Sequence, residues 1–152
     1  MVQRDLNSSI LTKYISWGSL IAAGAGDNTL VSGALITTAN GKEEYYSGIL
    51  SVNYVATLTT SSNVQFRLSY DESSDGTTYG ADTLITLLTP AVNASTTQTA
   101  QQVSGILNIP INLVPRAKYI HFNVKPDASA AGTDTCSWFL DLTVNGKLQP
   151  VT

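Results

Sequence analysis

Charge is what this sequence has least of. Of its 152 residues only 12% are Asp, Glu, Lys or Arg, about half the roughly 25% of an ordinary soluble domain. The eight basic residues are scattered and the net charge is −3. A phosphate backbone therefore finds no cationic track, which excludes nucleic acid as the main ligand. There is one cysteine, Cys136, and one histidine, His121. A lone cysteine forms no internal disulfide, and one Cys with one His leaves a structural zinc site short of ligands. Residues 1–23 mix Arg4, Asp5 and Lys13 with polar residues and lack the apolar core of a secretory signal. No run approaches the ~18 apolar residues of a membrane span. A soluble protein made in a cytoplasm is expected. Helical periodicity is absent too: its nearest candidate, Leu20–Ala25, is interrupted by Gly24 and followed by Gly26, both poor helix formers.

Hydroxyls take the place of the missing charge. Thr (19) and Ser (16) make up 35 residues, 23% of the chain. Apolar content is an ordinary 43%, enough for a core and against disorder. The apolar positions recur with a period of two, at Leu50–Leu58, Val64–Tyr70, Ile120–Val124 and Cys136–Val144. Such alternation describes strands with one buried face. Val52, Tyr54, Phe66, Leu68, Ile120, Phe122, Trp138 and Leu140 are expected inside, with Phe139 an apolar residue on the wrong face. Weaker strands are expected at 10–16, 28–37, 82–88 and 99–109. Turn signals lie at 24–28, 40–41, 60–63, 71–78, 90–97, 126–133 and 145–146, several built on Asn-Gly or Asp-Gly pairs. Together they predict an all-β fold, an antiparallel sandwich or jelly roll of about eight strands without a long helix. Residues 10–152 form its single domain, and the polar residues 1–9 are expected to be an N-terminal arm.

Few groups invite chemistry. His121 falls on the polar face of its strand, and nothing in the spacing nominates a nucleophile or an acid for it. Cys136 is in register with Trp138 and Leu140 and reads as a small core residue. Asp71, Glu72 and Asp75 gather oxygens that calcium favours, but their spacing is not that of an EF-hand; a hairpin loop is the simpler reading. Trp17, Tyr45, Tyr46 and Tyr79 sit at expected strand ends. Aromatics there can stack on sugars, anchor a protein interface or close the end of a core. No catalytic residue, metal ligand or cofactor site is assigned.

Two segments resemble known families. Phe66–Tyr79, with Asp75-Gly76 at its turn, and Pro115–Phe122, with Arg116-Ala117-Lys118-Tyr119, resemble a hairpin and a later strand of discoidin-like jelly rolls. The same pair is similar to elements of small β-sandwich proteins of tailed-phage virions. The Thr/Ser/Ala/Gly-rich, weakly charged chain shares their style. Residues 1–40 do not match the discoidin pattern, and the single Cys136 cannot supply that family's disulfide. The virion resemblance implies a non-enzymatic capsid decoration (cement) protein, synthesised in the host cytoplasm and carried on the capsid surface. It would be a homotrimer bound to the major capsid protein, with no cofactor, nucleic acid or membrane. The alternative is a carbohydrate- or receptor-binding module of a phage tail or fibre. Its glycan would meet Trp17, Tyr45, Tyr46 and Tyr79 as platforms and Asp71, Asp75 and Arg116 as hydroxyl partners.

Overall fold

The computed structural model describes residues 10–22, 24–37, 43–113, 117–130 and 132–148. For 10–17, 19, 34–37, 43–44 and 147–148 the description is of the backbone. The expected arm, residues 1–9, lies outside the described residues, as does Arg116.

Eight strands follow one another: β1 (Ile10–Ala22), β2 (Val31–Thr37), β3 (Glu43–Leu58), β4 (Asn63–Ser73), β5 (Thr83–Val92), β6 (Gln101–Asn112), β7 (Tyr119–Ala128) and β8 (Thr135–Leu148). Two four-stranded antiparallel sheets result, ordered β1-β8-β3-β6 and β2-β7-β4-β5. The pairs β1·β8, β2·β7, β3·β6 and β4·β5 describe one long ribbon folded back at the β4–β5 turn. Rolling that ribbon brings β3 against β8 and β4 against β7. The all-β expectation holds, and the wrapped ribbon makes the sandwich a jelly roll.

The core lies between the sheets. Val52, Phe66, Leu68, Ile120 and Leu140 are fully buried, and Tyr54, Phe122 and Trp138 nearly so, as their alternation predicts. Phe66 stands at the centre, 6.3 Å from the Trp138 ring edge-on and 6.2 Å from the tilted Tyr54 ring. The Tyr54 hydroxyl crosses between the sheets to donate to the Pro90 carbonyl at 3.0 Å. Phe139 points outward, 44% exposed.

The turn signal at 145–146 is strand instead, and those at 90–97 and 126–133 begin within strands before the chain turns. Pro90 lies within β5, and Asn145 and Gly146 lie within β8. Pro126 lies within β7. It is tolerated because β2 first pairs with β7 at Val124, leaving Pro126 a strand partner, Phe66, on one side only. Buried polar groups close one end of the sandwich. Asn93 donates to the carbonyls of Leu58, Thr59 and Gln98. Asp134 accepts from the Thr59 amide and hydroxyl.

Candidate functional site

The outer face of β4 and β7 carries the main cluster of titratable side chains. Register sets it up: Arg67 lies opposite Lys125, Ser69 opposite Asn123, and Asp71 opposite His121. Antiparallel neighbours of this kind stand close enough for side-chain bonding. His121 Nδ1 lies 3.0 Å from Asp71 Oδ1; the carboxylate accepts, which puts a proton on Nδ1. Asn123 donates to both Asp71 Oδ2 (2.8 Å) and Asp82 Oδ1 (3.1 Å). Arg67 closes the chain with an ion pair to Asp82. Burial on its own would raise Asp82, but hydrogen bonds from Ser69, Arg67 and Asn123 outweigh it and hold the carboxyl below the usual range.

The loop 74–82 folds back over this face, and Ser69 and Asn123 have no exposure although they belong to an outer surface. Tyr79 stacks on His121 with ring centroids 4.0 Å apart. Asp75 shapes the loop by accepting from the amides of Thr77 and Thr78 and from the Ser73 hydroxyl. Those bonds, the Thr78 amide first, keep its carboxyl strongly acidic. Gly76 has φ +77°, and a Cβ there would come within 3.2 Å of the Tyr119 ring; only glycine suits both demands.

Sequence reasoning left His121 without an acid, and the structure supplies Asp71, 50 residues away in the chain. An alignment of strands could have found it, since Asp71 and His121 occupy paired positions. A hydrolytic triad would still need a hydroxyl released to the imidazole. Of the buried hydroxyls over this face, Ser69 is committed to Asp82 and Ser73 to Asp75, while that of Tyr79, stacked on His121, has no hydrogen-bond partner among the described residues. Asp75, one of the three carboxylates weighed for calcium, caps its own loop through Oδ1. Among the described residues no group of three or more His, Cys, Asp or Glu is placed to hold a metal ion.

The candidate contact residues divide. Asp71, Asp75 and Tyr79 share this loop region, and Tyr46 is half-buried at the start of β3. Of the three readings open for Tyr45, the core end is the one observed, since it is 3% exposed. A bulge between Tyr45 and Ser47 reverses the in–out parity of β3, a shift invisible to local alternation. Trp17 is on β1 opposite Leu140, and its side chain lies outside the description. Cys136 is buried as expected, and burial pushes its thiol up to about 12.

The other outer face, of β1-β8-β3-β6, is different in kind. Leu20, Val55, Ile106 and Phe139 are 44–65% exposed on it. The registers place Ser51, Asn53, Ser104 and Ser137 among them. Among the side chains described on it, the carboxylate of Asp141 accepts from Asn53 at 2.8 Å. Asn53, Val55, Ser104, Ile106 and Phe139 rim a shallow depression of about 390 Å³. Sequence reasoning missed this face, except for Phe139.

No family model and no curated protein matches the chain. Among solved structures, dimeric latent PorU from Porphyromonas gingivalis is similar over 97% of this chain and 14% of its own, with TM-score 0.48 and 8% identity. Infectious bursal disease virus of the Gx strain gives 95% and 41%, TM-score 0.37 and 10% identity. The VP2 subviral particle of that virus gives 95% and 42%, TM-score 0.32 and 9% identity. This chain thus spans less than half the length of each.

Proposed function

We propose that the protein is a non-enzymatic structural component of a virion, a decoration protein that binds the major capsid protein as a homotrimer and stabilises the lattice. The observation that carries the reading is the contrast between its two outer faces. One polar face pairs Arg67 with Asp82 and His121 with Asp71 beneath its own loop. The other presents apolar, hydroxyl and amide side chains with the Asp141 carboxylate already bonded to Asn53. A weakly charged surface of that kind suits repeated docking at close spacing, where like charge would accumulate. Binding to the assembled shell stabilises it by mass action. The capsid surface is the location this reading requires.

The test is a comparison of particles with and without the protein. Hundreds of copies per particle by quantitative mass spectrometry, and a lower bursting temperature once stripped, are expected. Phe139→Asp, which adds a charge to the weakly charged face, should weaken attachment without unfolding the sandwich. Equal bursting temperatures, together with binding of a defined glycan on an array, would replace this reading by the receptor-binding one.

A further inference from the structure

We infer that β6 is a self-pairing edge, through which two copies of this chain join their β1-β8-β3-β6 sheets into one continuous sheet about a two-fold axis. β6 pairs with β3 on one side and with no other described strand on its outer side. Exposed edges are normally guarded by charge, bulges or shortness. β5 has two register shifts and Pro90, β2 is seven residues long with a shift of its own, and β1 carries Lys13. β6 is twelve residues long, has no charged residue and keeps an unbroken register with β3.

The register identifies which groups are free. The Leu113 amide donates to the Tyr46 carbonyl, continuing the line in which odd-numbered residues of this segment bond toward β3. The even-numbered residues Gln102, Ser104, Ile106, Asn108 and Pro110 therefore aim their backbone groups away from β3. Pro110 sits in that outward set, where its missing N–H costs the β3 ladder nothing. It removes one donor near one end of the free edge and leaves the middle open.

A second copy fits this edge better than a charged partner would, because the strand is neutral and matches itself. Centring an antiparallel pair on Ile106 joins nearly the whole of β6 to its copy. Ile106, the most exposed of the described large hydrophobics at 65%, then meets its own copy on the axis. Ser104 falls opposite Asn108 of the second copy, a hydroxyl facing an amide. On the other face Gly105 lies opposite the copy's Leu107, small against large, and Val103 opposite Ile109. Val103, Leu107 and Ile109 are only partly buried in the single chain, so pairing covers them further. The contact is isologous and closes on itself. It leaves the rest of the molecule free for three-fold or capsid contacts, and it does not depend on the virion reading.

Cross-linking of the isolated protein tests it. With Ile106→Cys, the two thiols stand on strands whose Cα atoms are about 5.5 Å apart, and a short bismaleimide should give a covalent dimer. With Gln102→Cys the thiols are eight residues out of register, roughly 27 Å apart, and the yield should fall at least about tenfold. Wild-type protein, with only the buried Cys136, serves as the blank. Ile106→Lys, at an exposed position, should retain the wild-type circular dichroism. It should weaken concentration-dependent association in sedimentation by about tenfold or more, since like charges would meet on the axis. Equal linking at both positions, linking at neither, or unchanged sedimentation of Ile106→Lys would each overturn the inference.

Discussion

Replacing Phe66 by Ala and, separately, Phe139 by Ala asks the fold its sharpest question. Both residues are phenylalanines in strands, yet Phe66 is fully buried between Trp138 and Tyr54 while Phe139 is 44% exposed. Removing the Phe66 ring forfeits a transfer term of about 1.5–3 kcal/mol. The cavity left between two rigid aromatics adds to it, for a total of about 3–5 kcal/mol. For a chain of this length that corresponds to a fall in Tm of roughly 6–20 °C. Phe139 forfeits partial contact with the backbone around Gly18, for about 1 kcal/mol or less. Urea titrations followed by tryptophan fluorescence measure both, with an unchanged slope showing that stability alone has moved. Equal losses at the two sites would refute the assignment of faces, because a strand displaced by one residue exchanges its inner and outer sets.

Four further outcomes are expected. Asn93→Ala leaves the carbonyls of Leu58, Thr59 and Gln98 without their donor and should cost about 1–3 kcal/mol in the same titration. Cys136 should resist alkylation at pH 8 in the native protein and react on unfolding, since its thiol is buried and raised to about 12; rapid native labelling would count against this. Asp82 has a lowered folded pKa. Its contribution is therefore complete above the unfolded value of about 3.9 and declines as pH falls below it. Thermal melts between neutral pH and pH 2 should show Asp82→Asn with a shallower acid loss than wild type. Gly48→Ala would bring its Cβ to 2.8 Å from the Thr143 carbonyl oxygen, so the β3–β8 ladder must shift, and a Tm at or above wild type would contradict that contact.

Alternation by itself determined the class of fold and most of the core. Apolar residues two apart at 50–58, 64–70, 120–124 and 136–144 admit one arrangement, a strand with one wet face, because successive side chains point to opposite sides. The same rule placed Phe139 outside and Cys136 inside. Tertiary structure decided what a period of two cannot carry: which strands are neighbours, and in what register. Asp71 became the partner of His121 only when β4 met β7. The weakly charged face with Ile106 and Phe139 formed only when β3, β6 and β8 lay side by side. Tyr45 went inside and the 145–146 turn signal was absorbed into β8 for a related reason. A bulge reverses parity, and a ladder on both sides of β8 holds Asn145 and Gly146 extended. Local preference is written in neighbouring residues, whereas pairing is settled between segments far apart in the chain, by the burial of both at once.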